Sequence, residues 1–131
     1  MDPTIGFLTT LGATLAFLGC AVVTGYRAKR ALHLTSVGGA VAMLATTIYF
    51  ALELGELYDL ESAGVITPIH LTMAKLNTAA YLLPVVTGIR TLRNPAGRKL
   101  HGRVAWAVLA MTVMTSTTGG LMLLWAERLP V

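Results

Sequence analysis

Residues 90–125 read RTLRNPAGRKLHGRVAWAVLAMTVMTSTTGGLMLLW. The stretch opens on Arg90, Arg93, Arg98, Lys99 and Arg103, gathered around Asn94-Pro95-Ala96-Gly97, whose composition is that of a turn. After Arg103 no charged residue appears until Glu127. An uncharged apolar run of this length predicts a transmembrane helix, because about 20 residues at about 1.5 Å each cross a hydrocarbon core of about 30 Å. The basic cluster at its leading edge marks the cytoplasmic side. One stretch therefore predicts a turn, a span and the direction of that span.

Outward from it, three more apolar runs of span length occur, at 5–24, 34–54 and 67–88, the quoted run occupying 104–125. With 131 residues, 55% of them hydrophobic, and a mean hydropathy of +0.70, the chain is too apolar for a soluble domain and has room for one membrane domain. The predicted fold is all-α, an integral membrane four-helix bundle with up-down-up-down order, since short connections make neighbouring spans antiparallel. The remaining charges agree, apart from Arg128 at the exit and Lys75 inside a span. Arg27, Lys29 and Arg30 fill the first connection, while Asp2, Glu53, Glu56, Asp59, Glu61 and Glu127 fall on the opposite side. Both termini are thus expected on the external side.

This partition accounts for the net charge of +4, so no nucleic-acid partner is expected; the lipid bilayer is the first partner. Met1-Asp2-Pro3 lacks the basic leader of a cleavable signal, and the first span is expected to persist in the mature protein of a prokaryotic cytoplasmic membrane. Cys20 is the single cysteine, which excludes an intramolecular disulfide. Gly12, Ala16 and Gly19 form a stripe of small residues for close helix packing. Pro84 is expected to bend the third span. Trp106, Trp125, Tyr26 and Tyr58 fit interfacial anchors, whereas Tyr81 lies too deep and its hydroxyl needs a partner among the helices. No internal repeat stands out, because Gly38-Gly39 lies early in span two and Gly119-Gly120 late in span four.

The three histidines each stand at the entrance to a span: His33 before span two, His70 in the first turns of span three, His101 just before span four. Spans two and four run in the same direction, which puts His33 and His101 at similar depth at the cytoplasmic edge. Two imidazoles on diagonal helices are a fitting axial pair for one b-type haem iron. Gly38 and Gly39 would leave room for the macrocycle, and Arg30, Arg98, Lys99 and Arg103 would receive its propionates. The bland alternative is a hydrated connection in which imidazole meets lipid headgroups.

Lys75 is the one basic residue inside a span. It lies about 12 Å along the helix from Thr67, and a cation at such depth costs about 2.5–3.5 kcal/mol unless it pairs, snorkels or reaches water. Glu53 is its expected partner and Glu56 the next. Thr46, Thr47, Asn77, Thr78, Thr115, Ser116, Thr117 and Thr118 recur near that level, and with Glu53, His70 and Lys75 they suggest a polar site in the outer half.

From His33 to Trp125 the order of features resembles the small four-span membrane proteins linked to haem-copper oxidase maturation, the CtaM-like family, and more loosely the cytochrome b561-type bundles. The resemblance is carried by His33, by Leu83-Pro84-Val85-Val86 and Gly88-Ile89-Arg90-Thr91-Leu92-Arg93, by Lys99-Leu100-His101-Gly102-Arg103, and by Thr117-Thr118-Gly119-Gly120. It implies histidines at both membrane faces and a role in haem or metal handling. His33 and His101 supply the inner pair. The outer pair is incomplete: no histidine occurs at 53–55, and the span-three position falls on His70 or on Lys75. That departure argues against electron transfer between two haems across the membrane.

The expected function is a haem-associated membrane protein that binds one b-type haem near the cytoplasmic face or assists haem-copper oxidase maturation. Two rivals stand beside it. One is a non-catalytic subunit of a larger membrane complex, packed against other membrane subunits or a second copy of itself. The other is a small transporter working through Lys75 and Glu53. No hydrolase triad, phosphate loop or zinc-protease motif is present, so a self-contained enzyme is not expected.

Overall fold

A computed structural model describes residues 2–130. The chain forms α1 (Pro3–Tyr26), α2 (Arg30–Gly55), α3 (Ile66–Ala80), α4 (Leu82–Arg93) and α5 (Arg98–Trp125). Single 3-10 turns cover Leu60–Ala63 and Pro95–Gly97, and two-residue strands cover Tyr58–Asp59 and Glu127–Arg128. The chain is all-α apart from those strands, and its four helical passes overlap the four predicted spans. Each pass extends beyond the apolar run by a few residues, because the flanking polar residues continue the helix.

The helices Pro3–Tyr26, Arg30–Gly55 and the stretch Pro95–Trp125 are long and apolar enough to cross a membrane. They leave large side chains uncovered, among them Leu8, Leu52 and Leu124, the last 80% exposed. Apolar surface at this density identifies lipid as the solvent. The protein is a small integral membrane protein.

The third pass is broken, and Pro84 explains where. Proline has no N–H to offer the carbonyl four residues earlier, so the ladder loses its link to Ala80. α3 ends at Ala80 and α4 starts at Leu82, with Tyr81 between them.

The chain divides into two compact units, one made by α1 and α2 and the other by Asp59–Arg128. In the first, Asp2 caps α1 by accepting the Thr4 N–H at 2.8 Å. The connection to α2 turns through Ala28 at φ 54°. Thr14, wholly buried, meets Thr47 across the hairpin, Oγ1 to Oγ1 at 3.2 Å. Two aromatic rings lie on glycines of the facing helix. A Cβ built at Gly39 would stand 2.7 Å from the Phe17 ring, and one at Gly6 would stand 2.6 Å from the Phe50 ring. This corrects one expectation: the space beside Gly39 is taken by Phe17 and not left for a macrocycle.

In the second unit α3 and α4 pack along α5. Thr67 Oγ1 donates to the Leu60 carbonyl, and the Glu127 N–H donates to Ser62 Oγ at 2.7 Å. These links fasten the 3-10 turn to the start of α3 and to the chain leaving α5. The buried line along α5 is Val108, Thr112, Gly119 and Met122.

Gly39→Val is expected to destabilise the first hairpin by about 1–3 kcal/mol, the cost of overpacking a filled site. Gly12→Ala, where nothing lies within 4 Å, is expected to cost nothing and to gain helix propensity. Unfolding midpoints of the two variants in one detergent check this.

Candidate functional site: three imidazole seats

The helix starts repeat a pattern. α2 begins Arg30-Ala31-Leu32-His33 and α5 begins Arg98-Lys99-Leu100-His101. Both histidines are therefore fourth in their helices, inside the first turn and not ahead of it as the apolar runs alone suggested. Each follows its arginine by three residues, which places the two side chains on one face. A Thr-Gly pair precedes both, Thr24-Gly25 at the end of α1 and Thr87-Gly88 in α4.

Those glycines are where the rings rest. A Cβ at Gly25 would lie 3.3 Å from His33 Nδ1, and one at Gly88 would lie 3.2 Å from His101 Cε1. The Nδ1 side of each ring meets an oxygen of its own hairpin. His33 Nδ1 is 2.8 Å from the Ala21 carbonyl, and His101 Nδ1 is 3.1 Å from Thr87 Oγ1. Both rings are half-buried, while Arg30, Arg98, Lys99 and Arg103 are exposed at the same helix ends.

His70 occupies a third seat. Its Nδ1 lies 3.2 Å from Thr118 Oγ1, and a Cβ at Gly119 would stand 2.7 Å from its Cε1. The seats of His70 and His101 are reciprocal. Each ring rests on a Thr-Gly pair of the antiparallel neighbour, and in each the histidine precedes its own helical pass's Thr-Gly by the same interval: 70 to 87 and 101 to 118. Sequence reasoning missed this repeat because it compared glycine pairs; the signal lay in the interval between histidine and Thr-Gly.

Within the second unit, the members of the predicted outer polar site on α3 do not all share one side of the helix. Asn77 is buried and donates through Nδ2 to Thr112 Oγ1 at 3.2 Å. Tyr81 OH lies 2.9 Å from the same Thr112 oxygen, which supplies the partner its depth demands. Lys75 is exposed on α3, on the side away from Asn77, since two residues advance a helix by about 200°. Among the described residues it has no ion-pair partner in its own unit. Glu53 is exposed in the last turn of α2. Thr46, Thr78 and Thr117 turn back to carbonyls of their own helices, and Thr47 belongs to the contact with Thr14. The hydroxyls near this level thus serve helix packing more than a common cavity.

Among the described residues no three His, Cys, Asp or Glu side chains converge as a metal-ion cluster. A porphyrin iron needs only axial donors from the protein, and two imidazoles suffice. Comparison with family models, with curated proteins and with solved structures finds no match.

Thr112→Val is expected to destabilise the second hairpin by about 1–3 kcal/mol, because it strands the buried Asn77 amide. Tyr81→Phe removes one donor and leaves Thr112 bonded to Asn77, so its expected cost is about 0.5–1.5 kcal/mol. Thermal unfolding of both variants gives the ordering.

Proposed function

We propose that this membrane protein carries one b-type haem with His33 and His101 as axial ligands, and that Arg30, Arg98, Lys99 and Arg103 take the propionates. The observation that carries the reading is the matched construction of the two imidazoles. Each stands fourth in a helix that begins Arg-x-Leu-His, lies against a glycine, and has Nδ1 held by an oxygen of its own hairpin. Metal-bound histidines are oriented in this way, with the nitrogen away from the metal bonded to an oxygen. Bound haem would supply one-electron chemistry. The chain's own share is to fix the two rings, counter the propionate charge with exposed basic side chains, and keep water from the iron with apolar helix. The resemblance to the maturation family sets such a protein beside haem-copper oxidase assembly.

The test is spectral. The purified chain, as isolated or after haem addition, should show a Soret band and a sharp reduced α band, both lost in His33→Ala and in His101→Ala. A preparation that stays colourless and takes up no haem removes this reading.

A second reading rests on Lys75, which is exposed and, among the described residues of its own unit, has no ion-pair partner. A cation at that depth favours an acidic group on another membrane subunit. Stoichiometric co-purification of a partner that is lost in Lys75→Met, from a colourless preparation, would favour a non-catalytic subunit.

A further inference from the structure

Thr87 touches more than the histidine. Its Oγ1 lies 2.8 Å from the Leu83 carbonyl and 3.3 Å from the Pro84 carbonyl, as well as 3.1 Å from His101 Nδ1. A threonine hydroxyl has one proton to give, and a carbonyl oxygen only accepts. The shortest of the three contacts runs to Leu83, so the proton goes into α4's own backbone. What Thr87 turns toward the imidazole is a lone pair. The ring nitrogen that meets a lone pair has to carry the hydrogen.

We infer that Thr87 is a positioning residue that holds neutral His101 with its hydrogen on Nδ1, making Nε2 the basic nitrogen of the ring. The inference deepens the haem reading, since Nε2 is then the nitrogen available in electronic form to an iron, but the state of the ring is set by the protein alone. Gly88, next to Thr87, is part of the same device. A Cβ there would lie 3.2 Å from His101 Cε1, a tight contact that would press the ring to shift by a few tenths of an ångström.

The other two histidines reach the same state by different routes, which argues that the state itself is what the sequence preserves. His33 Nδ1 faces the Ala21 carbonyl directly, at 2.8 Å, and a carbonyl accepts only from N–H. His70 Nδ1 faces Thr118 Oγ1 at 3.2 Å, and Thr118 gives its proton to the Thr115 carbonyl at 3.0 Å. At His101 the observed Nδ1 contact is to a hydroxyl whose own proton is already given to the backbone.

The experiment is nitrogen-15 NMR of the histidine rings in the full chain, without haem, in lipid nanodiscs, at a pH where the rings are neutral. Single His→Gln variants assign the signals. In the wild type the His101 signals should report hydrogen on Nδ1. Thr87→Val should shift them toward hydrogen on Nε2, Thr87→Ser should restore the original pattern, and Thr117→Val, whose hydroxyl bonds the Val113 carbonyl, should change nothing. Wild-type His101 with hydrogen on Nε2, or a His101 signal indifferent to Thr87→Val in a folded protein, overturns the inference. The haem-loaded protein supplies a second readout: Thr87→Val should move the midpoint potential while leaving the haem bound. A chain that takes up no haem defeats the haem reading, and the ring signals still decide the role of Thr87.

Discussion

In lipid, helices gain nothing by hiding apolar side chains from one another, because the acyl chains are as apolar as leucine. What remains to hold them is close approach and polar contact. This chain meets that constraint in one recurrent way: a planar ring on one helix lies on a glycine of its antiparallel neighbour. Phe17 on Gly39 and Phe50 on Gly6 do so in the first hairpin, as do His70 on Gly119 and His101 on Gly88 in the second, with His33 on Gly25 as a looser case. The phenylalanines contribute dispersion alone. The histidines add a hydrogen bond at the same contact, so the packing of the hairpins and the placement of their basic nitrogens are one arrangement.

The threonines complete it. In a soluble protein a hydroxyl on a helix face is satisfied by water; here Thr10, Thr14, Thr47, Thr87, Thr112 and Thr118 return their protons to carbonyls of their own helices, whereas the buried Thr115 hydroxyl finds no partner among the described residues. Thr112 also reaches across, bonding the Val108 carbonyl at 2.8 Å and receiving Asn77 and Tyr81. A hydroxyl whose proton is committed to the backbone becomes an acceptor of fixed direction. Thr87, Thr112 and Thr118 all face the opposite helix in that state, and what meets them is a donor: imidazole, amide or phenol.

Much of the fold was legible in the sequence because its signals are coarse. Span length and the Asn94-Pro95-Ala96-Gly97 turn depend on composition over many residues. The break at Tyr81 depends on one residue, but proline acts through its own missing N–H and needs no neighbour to do so. Tyr81 was likewise readable as needing a partner, though Thr112 was not nameable. The site was less legible because it depends on facing. Lys75 and Asn77 look like members of one polar group along the chain, yet two residues carry them to different sides of α3. Gly39 reads as open space until Phe17 is placed on it. The Thr-Gly seats of His70 and His101 were in plain view as a repeated interval, but an interval acquires meaning only when antiparallel packing puts the end of one helix beside the start of the next.

α5 carries one histidine near its start and the seat of another near its end, while Tyr81 meets Thr112 between them. Rows of contact at three levels along one unbroken helix fix its axial register. A slip by a single residue, about 1.5 Å, would draw His101 off Thr87 and move Thr118 away from His70 in the same stroke. The two ends of the hairpin therefore have no independent setting: whatever displaces the ring at one end is felt, with opposite sign, at the other.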